Sequence, residues 1–191
     1  MIQVLENGKY YHIYNRGINS ATLFKEKTNF EHFLKLYDHH INPVAETYAW
    51  CLMKNHFHFL VRIKNSNEIT LEKKILPSQS FSNLFFFFSK AFNKSYNRHG
   101  ALFERPFRRK EINYDTYFQN VIVYIHKNPV HHNICEHPLE YPWSSYQSCL
   151  SDKPTKLQRN EVITVFNSIE NFKLVHEEVI NNFEVENFLG I

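Results

Sequence analysis

The chain has 191 residues, enough for one domain, or one domain with an appendage, that buries a hydrophobic core without disulfide bonds. Its three cysteines are an odd number without C-x-x-C spacing, which argues against a structural zinc site and for a reducing compartment. We see neither a signal peptide nor an apolar run long enough to span a bilayer, so we expect a cytoplasmic protein without a membrane partner.

The formal net charge of +3 is concentrated in one segment. Between positions 90 and 110 seven basic residues accompany one acid, Glu104, so this segment carries +6 (7 − 1) and the rest of the chain −3 (3 − 6). Such a block is typical of a protein that binds a polyanion, although a solvated surface would have the same composition. The basic residues are Lys90, Lys94, Arg98, Arg105, Arg108, Arg109 and Lys110.

Apolar spacing and turn residues predict elements in the order β-α-β-β-α-β-α before position 130. This order is typical of the ferredoxin-like split β-α-β fold, so we expect an α+β protein with an antiparallel sheet backed by helices. The predicted elements are strand 9–15, helix 28–41, strands 47–53 and 56–63, helix 82–96, an extended segment at 101–110 and helix 116–127.

Three local patterns refine this prediction. Asn128 precedes Pro129, a pair that disfavours continued helix, so the helix at 116–127 is expected to end there. The four consecutive aromatics Phe85 to Phe88 exceed what one helix face can bury, which predicts a helix wedged between the sheet and a neighbouring element. Beyond position 150 helical spacing recurs in two short segments, 161–166 and 169–180, in a stretch rich in glutamate. We therefore divide the chain into residues 1–150 and a helical C-terminal extension, 151–191.

A pair of histidines interrupts one predicted strand. His56 and His58 flank Phe57, and alternate strand residues point to the same side, so the two imidazoles share one face while Phe57 and Phe59 face the core. Neighbouring imidazoles disfavour each other's protonated form and together suit a divalent cation. Two unrelated surface histidines are the alternative, because a lone H-x-H pattern is only a weak indication of a metal site.

The helix predicted at 116–127 offers a third ligand. Tyr124 and Asn128 are four residues apart and lie on one helix face. An amide oxygen suits a hard cation such as Mg²⁺ or Mn²⁺, and a phenolic oxygen lies one turn away. Tyr124 would equally fit a core position, because Tyr117 and Val121 share its stripe.

Four segments, in chain order, resemble the single-tyrosine HUH transposases, and among them most closely the REP-associated tyrosine transposases. The start of the chain, YYHIYNRG followed by Leu23-Phe24, also matches that group. The resemblance covers about residues 10–146, and the combination of segments is what makes it specific. The four segments are LMKNHFHFLV, GALFERPFRRK, VYIHKNPV and YPWSSY.

The resemblance implies that residues 1–150 form an HUH transposase-like catalytic domain. In it His56 and His58 would bind the metal, Tyr124 would be the nucleophile and Asn128 a third metal ligand. The implied cofactor is Mg²⁺ or Mn²⁺, and the implied partner is single-stranded DNA or a DNA hairpin. The family cuts one strand, stays attached through a 5′-phosphotyrosine and rejoins strands by reverse attack. Related enzymes exist as monomers and as dimers, so monomer and homodimer both stay open.

The chemistry of these residue types is compatible with that activity. A phenol with a pKa of ~10 is a poor nucleophile at neutral pH, and a cation can polarise and orient the phosphate for it. No separate general base is predicted, since His126 lies about 200° around the helix from Tyr124 and His12 is a weak candidate.

The basic block is expected to track a phosphate backbone. Lys90, Lys94 and Arg98 are spaced four apart, and Arg105, Arg108, Arg109 and Lys110 would continue their stripe towards the helix at 116–127. Arg16, beside Gly17 in a turn, would hold a further phosphate. The acidic tail suggests a second hypothesis, namely that it folds over the DNA groove and restrains activity, so that deleting residues 160–191 would raise cleavage.

Two other functions fit parts of the pattern. A ferredoxin-like protein that binds single-stranded nucleic acid without catalysis would need the basic block but neither Tyr124 nor the metal. A metal-dependent hydrolase of small phosphate esters would not need the basic block, and is therefore the weaker alternative.

Overall fold

The computed structural model describes residues 3–69, 76–178 and 182–190. Within these residues four strands and seven α-helices follow one another along the chain. They are β1 (Tyr10–Arg16), α1 (Lys27–His40), β2 (Ala45–Met53), β3 (His56–Ile63), α2 (Pro77–Ser95), β4 (Arg108–Ile112), α3 (Tyr114–His131), α4 (Tyr146–Leu150), α5 (Arg159–Val165), α6 (Ile169–Glu177) and α7 (Asn182–Leu189).

The strands form one antiparallel sheet in the order β2-β3-β1-β4. Strand β3 lies between β1 and β2, which confirms the α+β, ferredoxin-like split β-α-β prediction. The register places Tyr14 opposite His58 on β3 and opposite Arg108 on β4. The sheet therefore places polar residues of β1, β3 and β4 side by side.

Each face of the sheet carries its own hydrophobic core. Alternation along β3 sends Phe57 and Phe59 to the face covered by α1 and α2, where they pack in a cluster rich in phenylalanine. The other face, which carries Leu60, packs against α3 and the C-terminal helices. Burial of aromatic side chains on both faces fixes the sheet between two helical layers.

Helix α3 differs from the prediction at both ends. It begins at Tyr114 and continues through Pro129 to His131, although an end at Asn128 is expected from the proline. The proline lies in the last turn, where its missing N–H removes one hydrogen bond, while the backbone N–H of His132 still donates to the oxygen of Asn128 at 3.1 Å. The longer helix places Asn128 inside a regular turn.

Helix α2 does not bury its run of aromatics. Phe85 and Phe88 belong to the core, but Phe86 and Phe87 are 59% and 44% exposed. The prediction of a helix wedged between two layers is therefore wrong, because α2 packs on only one side. The two exposed rings lie on the outside of the molecule.

The C-terminal extension packs on the α3 face of the sheet. Phe166 and Phe172 are fully buried there, and the backbone of Gln158 donates to the oxygen of Thr47 at the edge of β2. The extension contains α5, α6 and α7, of which α7 was not predicted. Among the described residues no helix is long and apolar enough to cross a membrane.

Candidate functional site

The two histidines of β3 face α3 on the same side of the sheet. Their ring centroids are 5.1 Å apart and the ring planes are nearly perpendicular, at 86°. His58 is buried at 4% exposure, whereas His56, at the start of the strand, is partly exposed. Because side chains alternate along β3, Phe57 points into the opposite core while both imidazoles lie beside Tyr124 and Asn128 of α3.

Helix α3 brings Tyr124 and Asn128 to these histidines. The ring of Tyr124 lies edge-on to His58 with centroids 5.7 Å apart. Oδ1 of Asn128 lies 3.1 Å from Nε2 of His56. One helical turn separates the phenol from the amide, as their four-residue spacing requires. The structure thus places all four predicted site residues in one group.

The hydrogen bonds of His56 leave two acceptor atoms facing each other. Its Nδ1 lies 2.8 Å from Oδ1 of Asn55, an acceptor, and a neutral imidazole has only one proton for its two nitrogens. In the tautomer protonated at Nδ1, Nε2 presents a lone pair to Oδ1 of Asn128, which is also an acceptor. A cation between imidazole nitrogen and amide oxygen would satisfy both atoms.

His12, from the middle of β1, contacts the second histidine of the pair. Its Nε2 lies 2.9 Å from Nδ1 of His58, and the two rings are stacked at 5.1 Å. When His58 donates this hydrogen bond, its Nε2 is left unprotonated and available as a ligand. His12 is completely buried, and Nδ1 of His12 has no hydrogen-bond partner among the described residues.

Burial sets the protonation of the site. It lowers the pKa of His56 to about 4, with the Asn128 side chain acting in the opposite direction. Burial, reinforced by His12 and His56, lowers the pKa of His58 well below its ordinary value. Both imidazoles are neutral at pH 7, which is the state that binds a metal ion. Burial also raises the pKa of Tyr124, and the hydrogen bond from Asn128 offsets this only in part.

The donor set fits a hard divalent cation. Two neutral imidazoles and one amide oxygen converge from β3 and α3, and the opposed acceptors of His56 and Asn128 are the specific observation that favours a cation. Within the described part of the chain there is no group of three or more His, Cys, Asp or Glu that could hold a metal ion. A cation held here would therefore need the amide as its third ligand.

A cavity of about 600 Å³ opens beside these residues, and we call it the tyrosine cavity. Two cations and two acids line it, so its charge is balanced. Arg16 donates to Glu104 at 2.6 Å, while Arg108 lies across the sheet from Tyr14. The lining residues are Tyr14, Asn15, Arg16, Asn55, His56, His58, Glu104, Arg108, Tyr124, His132, Glu186 and Gly190.

Gly17 keeps Arg16 at the mouth of the tyrosine cavity. Its backbone N–H donates to the oxygen of Asn55 at 2.8 Å, which ties the end of β1 to the turn before His56. A β-carbon at Gly17 would collide with the carbonyl oxygen of Ala21. The chain can therefore turn this tightly after Arg16 only with glycine.

The C-terminal helix closes one side of the tyrosine cavity. Glu186 and Gly190 of α7 line it, and the hydroxyl of Tyr14 donates to the oxygen of Gly190 at 3.4 Å. Phe188 stacks on Tyr117 with centroids 3.8 Å apart, which holds α7 against α3. Tyr124, which lines the same cavity, is only 4% exposed.

The predicted basic residues do not form one stripe. Strand alternation sends Arg108 and Lys110 to the tyrosine side of the sheet and Arg109 to the α2 side. Lys110 lies over the ring of Phe188 at 5.0 Å. Arg98 follows the end of α2 and donates to backbone oxygens, Ala101 among them, so it holds a turn. Lys90 and Arg105 line a second cavity with Arg109, and Lys94 is exposed on α2.

Some residues of the site were not predicted. His132 lies 5.1 Å from the ring of His56 and lines the cavity. It continues the four-residue spacing of Tyr124 and Asn128, which is the signal that would have indicated it. Tyr14 also lines the cavity, and the alternation of side chains along β1 would have placed it on the same face as His12. His126 points away from the cavity, as its helical position predicts, and contacts His176 at 3.0 Å.

Comparison with known structures places the fold. The chain is similar to a REP-associated tyrosine transposase bound to a REP hairpin, with a TM-score of 0.59 and 15% identity, covering 81% of this chain and 87% of the other. It also aligns with a bacterial tRNA(His) guanylyltransferase (Thg1)-like protein in complex with ATP, at 14% identity over 98% of this chain and 93% of the other, but the TM-score of 0.43 supports no inference. No protein-family model and no curated protein matches. The fold is shared with a transposase, and the function must be argued from the site.

Proposed function

We propose that the chain is a metal-dependent tyrosine DNA endonuclease and strand transferase of the HUH type. The single observation that supports this most is the convergence of Tyr124, His56 and His58 at the tyrosine cavity, with Asn128 buried behind them against His56. A protein that only binds nucleic acid would not require a phenol beside two neutral imidazoles and an amide oxygen that suit a cation. The transposase fold, known here from a structure with a bound hairpin, is compatible with the same conclusion.

In the proposed reaction the oxygen of Tyr124 attacks the scissile phosphorus. A bond forms between the phenolic oxygen and phosphorus, and the bond to the 3′-oxygen of the upstream nucleotide breaks. The phenol loses its proton and the leaving 3′-oxygen gains one, so a 5′-phosphotyrosine and a 3′-hydroxyl result. Because the phosphodiester energy is kept in the covalent link, reverse attack by a 3′-hydroxyl rejoins strands without ATP.

Six residues in or beside the tyrosine cavity have a task in this proposal. His56, His58 and Asn128 would hold the cation, which supplies Lewis-acid polarisation of the phosphate. Arg16 and Arg108 would contact phosphates on either side of the scissile one, because their guanidinium groups suit phosphate oxygens. Tyr124 is protonated at rest, since burial raises its pKa, so its proton must leave as attack proceeds.

The test is formation of a covalent adduct. Wild-type protein is incubated with labelled single-stranded DNA and Mn²⁺, then separated on a denaturing gel. We expect an adduct that disappears in Tyr124→Phe and is retained in the matched variant Tyr117→Phe, which alters a tyrosine on the same helix outside the cavity lining. An adduct that persists in Tyr124→Phe contradicts the assignment of the nucleophile.

A nucleic-acid binder without catalysis is the second candidate. The low exposure of Tyr124 beneath α7 favours it, since a buried phenol cannot reach a phosphate without movement of that helix. This candidate predicts salt-dependent binding of single-stranded DNA with no adduct at any metal concentration. The same gel, combined with a binding measurement, separates the two functions.

A further inference from the structure

A second cavity lies on the opposite side of β1 from the active-site candidates. Its volume is about 890 Å³, and it runs between α2 and the segment that leads into β4. We call it the α2 groove. Of the charged residues that line it, three are the cations Lys90, Arg105 and Arg109, and the acid is Glu104. That carboxylate is already paired with Arg16 at 2.6 Å, so the groove has an excess of positive charge.

Arg109 is the residue in this groove whose charged side chain has an unsatisfied hydrogen-bond donor within the described part of the chain. Its guanidinium lies over the ring of Phe107 at 3.7 Å, and one of its terminal nitrogens donates to the oxygen of Phe107 at 3.5 Å. Its Nε is buried and has no hydrogen-bond partner among the described residues. A partly buried guanidinium without a facing carboxylate is costly unless an anion binds to it.

The α2 wall of the groove carries groups that contact nucleobases. The lining positions recur every three or four residues, so they form one face of the helix. On this face the amide of Asn83 can contact base edges, whereas Asn93 is already bonded to Gly100 and Arg98. Lys90, which also lines the groove, offers a second phosphate contact. Phe86, 59% exposed, presents a ring on which an unpaired base can stack.

The two cavities are contiguous. Asn15 and Glu104, at the end of β1 and before β4, line both of them. A DNA strand bound at Tyr124 could therefore continue over the end of β1 into the α2 groove. The groove is lined by one acid, by a guanidinium whose Nε has no hydrogen-bond partner among the described residues, and by an exposed aromatic ring, which together fit a single-stranded nucleic acid better than a protein surface.

We infer that the α2 groove binds an unpaired segment of the same DNA strand that is cleaved at Tyr124, with a phosphate at Arg109 and a base stacked on Phe86. This inference rests on the proposed function for the identity of the strand. It assigns sequence preference to a site outside the catalytic cavity, on the other face of the sheet.

Binding is tested first, with a matched pair of phenylalanines. Full-length Tyr124→Phe protein, which lacks the proposed nucleophile and so cannot form the covalent adduct, is used. It is titrated in EDTA against a fluorescein-labelled 20-nucleotide single strand of mixed sequence. Adding Phe86→Ala should weaken binding about fivefold or more, because it removes a stacking platform. Adding Phe87→Ala should change it less than twofold, since Phe87 is exposed on the same helix but does not line the groove.

Charge is tested in the same assay. Arg109→Gln should reduce the slope of log Kd against log salt by about 0.7, the value for one phosphate contact on a single strand. Lys173→Gln, the same change on exposed α6, should leave the slope unaltered. Equal effects of Phe86→Ala and Phe87→Ala, or an unchanged slope in Arg109→Gln, would overturn the inference.

Cross-linking separates this inference from the proposed function. The same strand with 5-iodo-2′-deoxyuridine is photo-cross-linked, and the modified peptides are identified by mass spectrometry. We expect cross-links in α2 and in residues 103–109. If wild-type protein forms the Tyr124 adduct while cross-links occur only around the tyrosine cavity, the groove inference fails and the enzyme proposal stands. If cross-links map to α2 without any adduct, the groove binds nucleic acid and the enzyme proposal fails.

Discussion

Nε2 of His56 lies 3.1 Å from Oδ1 of Asn128, although 72 residues separate the two positions in the chain. Oδ1 of Asn55 lies 2.8 Å from the other ring nitrogen, so with the single ring proton on that side the contact to Asn128 joins two acceptors. The contact connects the start of β3 with the last turns of α3. It is the geometric basis for treating the strand and the helix as one cation site.

Replacing Asn128 should therefore weaken the cation site. We expect Asn128→Ala to lower Mn²⁺ affinity at least tenfold, because the amide oxygen is lost, and Asn128→Asp to retain binding through a carboxylate oxygen. Affinity is measured by electron paramagnetic resonance of free Mn²⁺. Asn120→Ala, an exposed position on the same helix, is the control. Equal affinity in Asn128→Ala and wild type would exclude Asn128 as a ligand.

His12 should act as a positioning residue for His58. Its Nε2 is the hydrogen-bond partner of Nδ1 of His58, and losing such a partner typically weakens metal binding by about 10- to 100-fold. His12→Phe keeps a ring of similar size in this buried position, so we expect lower Mn²⁺ affinity with little change in the urea midpoint. Tyr10→Phe, two residues earlier on the same strand face and outside the cavity lining, is the control. Unchanged Mn²⁺ affinity in a folded His12→Phe protein would contradict the role.

Much of this site follows from two local periodicities. Alternation in β3 predicts that His56 and His58 share a face, and helical spacing predicts the same for Tyr124 and Asn128. Neither pattern reports which face of β4 carries Arg108, because a shift of one residue in register moves every side chain to the other side. The division of the basic block between two cavities is therefore visible only in the structure.

The C-terminal helix could not be placed from the sequence for a different reason. Its contact with the site, through Glu186 and Gly190, joins residues far apart in the chain and depends on the packing of Phe188 against Tyr117. The structure also changes the earlier expectation about the tail. Deleting residues 160–191 would remove buried core side chains such as Phe166 and Phe172, so that variant should unfold rather than cleave faster.

Removing only residues 182–191 should raise the rate of adduct formation. Helix α7 covers one side of the tyrosine cavity, and Glu186 places a negative charge where a phosphate must bind. We expect Glu186→Gln to give a smaller increase than the deletion, since it removes the charge but keeps the cover. Glu184→Gln, exposed on the same helix and outside the cavity lining, is the matched control. A slower reaction in the deletion variant, with its fold intact, would show that α7 supports the site.

A buried pair of histidines links α3 to α6. Nδ1 of His176 lies 2.7 Å from the oxygen of Phe172, so that nitrogen carries the proton and Nε2 accepts from Nδ1 of His126 at 3.0 Å. Nε2 of His126 then accepts from the hydroxyl of Ser145 at 2.7 Å. Every proton in this chain of hydrogen bonds is assigned, and both rings are neutral.

This pair should make stability depend on pH below neutrality. Burial, aided by Lys127 and His137 and opposed by the bond to Phe172, lowers the pKa of His176 to about 4, whereas an unfolded histidine titrates near 6.5. Between these values the unfolded chain binds more protons than the folded one, so stability is fully present above pH 6.5 and is lost as the pH falls towards 4. At about 1.4 kcal/mol for each pKa unit, the loss from His176 amounts to roughly 3 kcal/mol.

Urea unfolding at several pH values measures this dependence. Wild type should lose stability from pH 6.5 to 4, and His176→Phe should lose less over the same interval, because it removes one buried imidazole that must charge on unfolding. The variant should also be less stable at pH 7.5, where the hydrogen bond to His126 is lost. His32→Phe, which changes an exposed histidine, should retain the wild-type slope. Identical slopes for His176→Phe and wild type would show that the ring of His176 is not held neutral in the folded protein.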